Sequence, residues 1–430
     1  MNKKAIGWLY QELPELVNKG ILSSETAEKI KMHYGPIEET QGTRTFLMVF
    51  GIIGVLLVGL GIILLIAHNW DQLSRVSRLT ISVGLLIAAQ LTSGLVLYFK
   101  KESRIWRESA GILHLLTIGA AIALVGQTYH LTEDTDTFLL TWMLLSLPLI
   151  YLLRSTSVAA MYLVGITFWS ASVHIYLEKQ LIWVLLLVVL PYHWQIIKVD
   201  RYSNPAVILS WVLNVCFYFC FGAAFSSYIN DSGLFIYSTL FAVNYLIGVL
   251  WFGSARESWV MPFKLIGLAG VLGSTFMFTF YNIWSQLRLG TNIFSSTEIG
   301  LASLLSLLVI SGNFLMVKQS NRQNLLFSLA PLIVGVGYLL HSFDSSGISA
   351  TILMNIYMLF LSLGVIRTGV GNNSIGVVNI GMLMLAALIS ARFLDMNFSF
   401  VIRGLVFITL GLAFLVANWL MVRRKAGEQK

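Results

Sequence analysis

The chain is poor in charge. Only 11% of its 430 residues are Asp, Glu, Lys or Arg, whereas 57% are hydrophobic. Soluble domains carry about 25% charged residues, and a soluble fold could not hide this much apolar surface from water. The scarcity of charge therefore excludes an ordinary soluble protein and predicts a polytopic membrane protein.

Cysteine is nearly absent as well. Cys216 and Cys220 lie four residues apart in one apolar segment, where they would share a helix face. A disulfide within a helix at that spacing has poor geometry, so we interpret both as packing residues, with neither a redox nor a zinc role. The Walker-loop, GxSxG and HExxH motifs are also missing from the sequence. We expect neither a cofactor nor a metal.

Acidic residues are missing from the middle of the apolar segments. All 20 Asp and Glu residues lie in connections, in the termini or, for Glu298, at the edge of a predicted span. Ion-coupled transporters commonly hold their ion with ionisable groups in mid-membrane. The polar residues well inside the spans are amides, hydroxyls and His114, which interhelical hydrogen bonds explain. The pattern disfavours a conventional proton- or sodium-coupled mechanism.

What the chain has is long apolar runs, which can cross the hydrocarbon core as helices. We predict an all-α fold, a polytopic bundle of about fourteen transmembrane helices. The predicted spans are residues 46–67, 79–99, 109–128, 137–153, 156–176, 181–197, 206–228, 233–252, 260–281, 297–317, 325–343, 347–367, 374–393 and 401–422. Of these, the fourth and sixth are short, and the sixth contains Pro191.

The distribution of basic residues predicts the orientation. With both termini in the cytoplasm, 22 of the 28 Lys and Arg residues fall on the inner side, as the positive-inside rule requires. The net charge of +8 is therefore a topology signal, and we expect no nucleic-acid partner. Residues 1–40 would then face a cytoplasmic protein partner or only cap their own bundle.

Four regions are predicted along the chain. Residues 1–45 form a small cytoplasmic helical hairpin, in which residues 3–18 run to Gly20 and Ser23 or Ser24 caps the second helix. Residues 46–155 form a four-span unit, 156–322 a central six-span region, and 323–430 a second four-span unit with a short basic tail. Similar motifs ten spans apart favour a repeat relationship between the two four-span units, with chance similarity as the alternative.

Glycines are placed for close helix packing in two spans. Gly54, Gly59 and Gly61 lie in the first span, and Gly267, Gly270 and Gly273 lie in the ninth. Small residues at this spacing let helix backbones approach each other closely. They imply packing and no cofactor.

Unusual polar residues collect at the outer ends of four odd-numbered spans. The first and eleventh spans end in a His-x-aromatic-Asp pattern, the third in "GQTYHLTEDTDT", and the thirteenth in "ARFLD" before the basic start of the last span. The candidate ligand-binding residues are His68, Trp70, Asp71, Gln127, Tyr129, His130, Glu133, Asp134, His341, Asp344, Arg392, Asp395 and Arg403.

These clusters have three interpretations. Aromatic residues and histidine commonly anchor helix ends at the membrane interface, and acids in outer loops need no function. Alternatively, the clusters form one external pocket for an envelope-side small or lipid-like ligand. A divalent-metal site at His130, Glu133 and Asp134 is a special case of that pocket, although no complete ligand set appears at diagnostic spacing.

Several of these motifs together resemble a known family. "LVNKGILSSETAEKI", "AHNWDQLSR", "GQTYH", "LPLIYLLRS" and "ARFLD" with "RGLVFITLGLAFL" are similar to those of an uncharacterised family of predicted bacterial polytopic membrane proteins, classed as a domain of unknown function. The resemblance spans most of the chain and is anchored in residues 13–155 and 375–425. It implies a multi-pass protein of the bacterial inner membrane, and it supplies no reaction, ligand or catalytic residue.

The sequence thus favours a non-enzymatic membrane protein of transporter-like build, or a ligand-recognising one, with an outward-facing polar pocket. One alternative is an enzyme acting at the outer interface on a lipid or cell-wall precursor, with His68, His130 or His341 as acid or base. The other is a sensor or scaffold that signals through the N-terminal hairpin.

Overall fold

The protein is described by a computed structural model, and the described residues form two compact units, Met1–Ile81 and Ser82–Lys430. The structure describes residues 3–34, 72–130, 134–173, 176–226, 229, 232–253, 258–287, 295–319, 324–344, 346–372 and 374–395, with six more between 405 and 416. All regular structure in these ranges is helical, as expected for a chain whose backbone must satisfy its own hydrogen bonds in lipid. The predicted all-α class is confirmed.

The first unit contains the predicted helical hairpin, α1 (Lys3–Asn18) and α2 (Ser24–Tyr34). Gly20 ends α1 with φ of +71°, a left-handed conformation that glycine adopts at little cost. The Ser23 hydroxyl accepts a hydrogen bond from the Thr26 N–H at 3.2 Å, so Ser23 is the cap of α2.

A hydrogen bond and buried apolar side chains join the two helices of the hairpin. The Tyr10 hydroxyl on α1 donates to the Lys31 carbonyl on α2 at 3.0 Å, while Leu13 and Ala27 are both buried. The hairpin therefore forms as predicted, and its cytoplasmic placement stays a prediction.

The helices that follow the hairpin alternate with short connections. They are α3 (Arg75–Phe99), α4 (Arg104–Tyr129), α5 (Thr135–Leu152), α6 (Thr156–Ser172), α7 (Tyr176–Leu187), α8 (Leu190–Val199), α9 (Asn204–Phe225), α10 (Gly233–Phe252), α11 (Pro262–Met277), α12 (Tyr281–Gln286), α13 (Ser296–Lys318), α14 (Leu325–Ser328), α15 (Ala330–Phe343), α16 (Ile348–Gly371) and α17 (Ile375–Asp395).

Ten helical segments among the described residues are long and apolar enough to cross a membrane. Two of them, residues 179–199 and 325–343, combine α7 with α8 and α14 with α15. The apolar helices α6 and α11 are shorter, at 17 and 16 residues. The first predicted span, 46–67, lies outside the described residues, as does most of the last, 401–422. The chain is thus a multi-pass membrane protein, and the count of fourteen stays a prediction.

Prolines break the sixth and eleventh predicted spans. Pro191 lies at the second position of α8 and Pro331 at the second position of α15. Proline has no N–H to offer the preceding turn, so a continuous helix would leave a carbonyl unsatisfied in lipid. Tyrosine hydroxyls from other helices bind carbonyls near both breaks, Tyr151 and Tyr162 at the first and Tyr357 at the second.

Two of the packed groups in the interior of the second unit surround α6 and α10. In one, α6 is the central helix, and Tyr162, Leu163 and Ile166 on it are fully buried among α4, α5, α7 and α9. In the other, α10 packs against α11, α13 and α15 through Ala242, Tyr245 and Leu246. This second group positions the cavity described below.

The close approach predicted for the ninth span is present at Gly267 and Gly270. A Cβ on Gly267 would lie 2.3 Å from the Tyr245 backbone nitrogen, and one on Gly270 would lie 2.1 Å from the Phe241 ring. The approach does not extend to Gly273, which has open space beside it. The first-span glycines lie outside the described residues.

Candidate functional site

The "GQTYHLTEDTDT" motif contains the end of α4 and the start of α5. His130 ends α4 in the left-handed conformation, with φ of 49°, and its N–H donates to the Gly126 carbonyl. Gln127 and Tyr129 are exposed at the end of the same helix. Asp134 is the N-cap of α5, where its carboxylate accepts hydrogen bonds from the Thr137 hydroxyl and the Asp136 N–H.

The hydrogen bond from Thr137, more than any other influence, holds the pKa of Asp134 below its usual value. A negative charge is also favourable at a helix N-terminus, where the backbone N–H groups point outward. Asp134 and Asp136 therefore have a structural role at the start of α5, in addition to any role in ligand binding.

Six of the predicted site residues fall where the structure gives no side-chain description. They are His68, Trp70, Asp71, Glu133, Asp395 and Arg403. Of these, Asp395 is placed only as the last residue of α17. Their roles stay predictions, and with them the metal site that included Glu133.

His341 and Asp344, which share one motif, have different surroundings. His341 is buried, and its Nε2–H donates to the Leu287 carbonyl at 3.1 Å, since a carbonyl can only accept. Its ring lies 6.1 Å from that of Trp284. Phe343, between the two, is 89% exposed, so the three residues of the motif do not converge on one point.

Asp344 closes the turn between α15 and α16. Its carboxylate accepts hydrogen bonds from the N–H and hydroxyl of Ser346, the hydroxyl at 2.6 Å, and from those of Ser349, the hydroxyl at 2.7 Å. These bonds, those of Ser346 first, lower the pKa of Asp344 to about 2. Gly347 follows with φ of +73° and completes the turn.

This turn gives a pH prediction. The pKa of Asp344 is lower in the folded protein than in the unfolded chain, so its stabilising contribution is present above about pH 4 and is lost as the pH falls toward 2. We expect Asp344→Asn to lower the melting temperature at neutral pH, and the difference from wild type to shrink below about pH 4. Thermal unfolding in detergent from pH 7 to pH 2.5 measures this. Glu102→Gln, at an exposed acid, is the control; a difference that stays constant with pH would contradict the prediction.

Arg392 lies near the end of α17, where its guanidinium carbon is 5.0 Å from the centre of the Phe280 ring. A cation above an aromatic face is stabilised by the ring quadrupole. Phe280 follows α11, so this contact joins α17 to the turn between α11 and α12.

Within the described residues, Asp134, His341 and Asp344 form their hydrogen bonds with residues that are not among the predicted ligand-binding residues. The structure therefore shows local helix-end roles for these residues. That they also meet around one external pocket stays a prediction.

A cavity of about 250 Å³ lies between α10, α13 and α15. Its polar groups are on Glu298, Ser232, Ser303 and Tyr338. The lining residues are Ser232 and Phe235 at the start of α10, Glu298, Ile299, Ala302 and Ser303 on α13, and Gly335 and Tyr338 on α15. Lining residues on α13 and α15 recur at intervals of three to four, so they share a helix face.

Among the described lining residues, Glu298 is the charged one, and only 4% of it is exposed. It forms a capping box with Ser295: the Glu298 N–H donates to the Ser295 hydroxyl at 3.1 Å, and the Ser295 N–H donates to the carboxylate at 2.9 Å. The Ser232 hydroxyl donates to the other carboxylate oxygen at 2.7 Å. These bonds fix the orientation of the carboxylate and join the starts of α10 and α13.

An aromatic cluster forms one wall of the cavity. The ring of Tyr338 lies 5.6 Å from that of Phe235, 5.4 Å from that of Trp284 and 6.0 Å from that of Phe278. The Trp284 indole N–H donates to the Phe278 carbonyl at 2.8 Å. Gly337 allows this packing, since a Cβ there would lie 2.7 Å from the Trp284 ring.

The sequence predictions missed this cavity. In the sequence, Glu298 is an acid at the edge of a span, and the spacing Ser295-x-x-Glu298 indicates a capping box. A capping box is a sufficient structural reason for the acid, so the sequence gives no sign of a cavity. Ser232 and Tyr338 carry no local signal, because they reach the cavity only through the packing of three helices.

Comparison with known proteins finds a family model that is similar to part of the chain. Residues 14–159 match the family model described as "Predicted membrane protein (DUF2157)". The match confirms the resemblance to an uncharacterised membrane-protein family, and it covers about a third of the chain. No curated protein and no solved structure matches the chain. The matched residues include α3 to α5 and the turn into α6, whereas the Glu298 cavity lies entirely beyond them.

Proposed function

We propose that this protein recognises a small or lipid-like molecule on the outer side of a bacterial cytoplasmic membrane. The observation that supports this most is the Glu298 cavity, an apolar space with one oriented carboxylate. Ligand sites in proteins are mostly apolar, with a few fixed polar groups. At about 250 Å³ the cavity is close in size to the smaller of these sites.

The proposed orientation supports an outward-facing cavity. With fourteen spans and both termini inside, the spans at residues 233–252 and 297–317 begin at the outer surface, and the span at 325–343 ends there. Ser232, Glu298 and Tyr338 would then lie near that surface. Ala302, Ser303 and Gly335 would lie one turn deeper, so the cavity would reach about 8 Å into the bilayer.

Recognition is better supported than catalysis. The enzyme alternative needs a histidine and a carboxylate within hydrogen-bond reach. Of the three candidate histidines, His341 pairs with a carbonyl, His130 ends α4, and His68 lies outside the described residues. The buried His114 and His193 pair with the hydroxyls of Ser93 and Ser210, at 3.1 and 2.8 Å. His114, His193 and His341 are thus used in packing the helices.

Cysteine labelling tests where the cavity opens. We expect Ser303→Cys to react with a membrane-impermeant maleimide in intact spheroplasts, because the cavity would be open to outer water. Ser103→Cys, between α3 and α4 on the proposed inner side, is expected to react only after permeabilisation. The native Cys216 and Cys220 are buried and give a low background. Labelling of Ser103→Cys but not Ser303→Cys in intact cells would reverse the orientation and contradict the proposal.

Occupancy of the cavity is tested by native mass spectrometry of protein purified from its own membrane. We expect wild type to retain an envelope molecule that Gly335→Leu loses, since a leucine there would fill the cavity beside Phe235. Gly300→Leu is the matched control on α13, because a Cβ at Gly300 meets open space. Identical spectra for wild type and Gly335→Leu, with both proteins folded, would count against a ligand in this cavity.

A further inference from the structure

The charge of the cavity limits what it can bind. Glu298 is acidic, and among the lining residues that the structure describes, none of the other seven is basic or acidic. An ionised carboxylate can accept up to about four hydrogen bonds, and the bonds from Ser232 and Ser295 orient it. An anionic ligand would meet this carboxylate in a space of low dielectric, where like charges repel strongly. The cavity therefore favours a cationic group.

Aromatic rings line the same cavity as the carboxylate. Phe235 and Tyr338 both line the cavity, with their ring centres 5.6 Å apart. Trp284 and Phe278 pack behind Tyr338 and hold its ring in place. An aromatic face attracts an organic cation, and rings combined with a carboxylate are suited to an ammonium group that has lost part of its water.

Three of the remaining lining residues are apolar, and the fourth, Ser303, adds a hydroxyl. Ile299, Ala302 and Gly335 offer no charge and no side-chain hydrogen bond. They suit a hydrocarbon chain and do not suit a hydrated ion. A bare divalent metal would need several more oxygen ligands than this cavity supplies, and the described residues contain no group of three His, Cys, Asp or Glu side chains that could hold one.

We propose that the Glu298 cavity binds an amphiphilic organic ammonium, with its cationic head between the Glu298 carboxylate and the rings of Phe235 and Tyr338, and its hydrocarbon along Ile299 and Ala302. This inference rests on the proposed function, because it names the class of ligand for the same cavity. The ammonium belongs either to a lipid headgroup or to a free alkylamine, which share this chemistry.

The test uses purified full-length Ser303→Cys protein in dodecyl maltoside and measures how fast the cysteine reacts with maleimide. Decyltrimethylammonium and decyl sulfate are compared below their micelle concentrations, and decanol below its solubility limit. We expect decyltrimethylammonium to protect the cysteine at roughly tenfold lower concentration than decanol, and decyl sulfate to protect least. The same measurement with phosphatidylethanolamine and with decylamine distinguishes a lipid headgroup from a free amine. Protection of the cysteine by either compound supports the proposal.

Glu298→Gln, made in the same Ser303→Cys protein, is expected to remove the preference for the cation while decanol still protects. Glutamine is also accepted in a capping box, so the start of α13 should be kept. Glu108→Gln is the matched control, since Glu108 is another poorly exposed carboxylate that caps a helix but lies outside this cavity. If Glu298→Gln unfolds, Gly335→Leu provides the second variant, and it should abolish protection by all three compounds.

The outcomes separate the two proposals. If the three decyl compounds protect equally, or decyl sulfate protects best, the ammonium assignment is overturned and a ligand cavity remains. Protection by sodium or calcium chloride alone would replace the ammonium with a metal ion. If no compound protects and Gly335→Leu reacts as wild type does, the proposed function fails as well.

Discussion

Replacing Gly267 with alanine is expected to destabilise the protein by about 1–3 kcal/mol, and replacement with leucine by more, because either side chain overlaps the backbone of α10. A Cβ at this position would lie 2.3 Å from the Tyr245 nitrogen and 2.6 Å from its Cα. Backbone atoms cannot rotate away as a flexible side chain can. Helices α10 and α11 would have to separate, and α10 also carries Phe235 into the wall of the cavity.

Gly273, six residues further along α11, is the matched control. Alanine at either position gains about 1 kcal/mol of helix propensity over glycine, but a Cβ at Gly273 meets open space. The difference between Gly267→Ala and Gly273→Ala therefore isolates the overlap with α10. Melting temperatures in detergent and the yield of folded protein measure the effect; equal values for the two variants would show that α10 and α11 are not in close contact.

Replacing Glu108 with alanine is expected to cost about 2–4 kcal/mol, since it removes the acceptor for three hydrogen bonds at the start of α6. The Glu108 carboxylate on α4 accepts from the Ser155 hydroxyl at 2.5 Å, the Thr156 N–H at 3.1 Å and the Ser157 N–H at 2.9 Å. Its side chain is only 15% exposed, so water would not fully replace it.

The loss of stability should be confined to variants of Glu108 and of its hydrogen-bond partners. Glu102→Ala, at an exposed acid before α4, is expected to change the melting temperature little. Ser155→Ala and Glu108→Ala should be less than additive when combined, because they remove the same hydrogen bond. Full additivity, or a Glu108→Ala melting temperature equal to that of wild type, would show that Glu108 does not anchor α6.

The helices could be predicted from the sequence because lipid leaves the backbone few alternatives. The hairpin followed from local signals, namely Gly20 and the cap at Ser23. The ends of the spans were less predictable: the ninth was expected over residues 260–281, but α11 ends at Met277, and a turn at Phe278 leads into α12. Apolar residues continue through this turn, so hydropathy alone gives no sign of it.

The candidate sites depended on information that the sequence does not contain. His341 and Asp344 belong to one sequence motif, but the helix ends between them. The two side chains therefore have different surroundings. His341 packs on Trp284, and Asp344 binds Ser346 and Ser349. The cavity joins residues more than 60 positions apart, such as Ser232 and Glu298. Which faces of three apolar helices meet depends on side-chain packing, which composition and periodicity leave open.

The tyrosines at the break between α7 and α8 limit how this part of the protein can move. Tyr151 on α5 binds the Val188 carbonyl, and Tyr162 on α6 binds the Leu185 carbonyl at 3.3 Å. A proline break with unsatisfied carbonyls could serve as a hinge, but this one is braced from two neighbouring helices. Bending it would expose carbonyls to lipid, so α5 to α8 should move as a single rigid block in any conformational cycle.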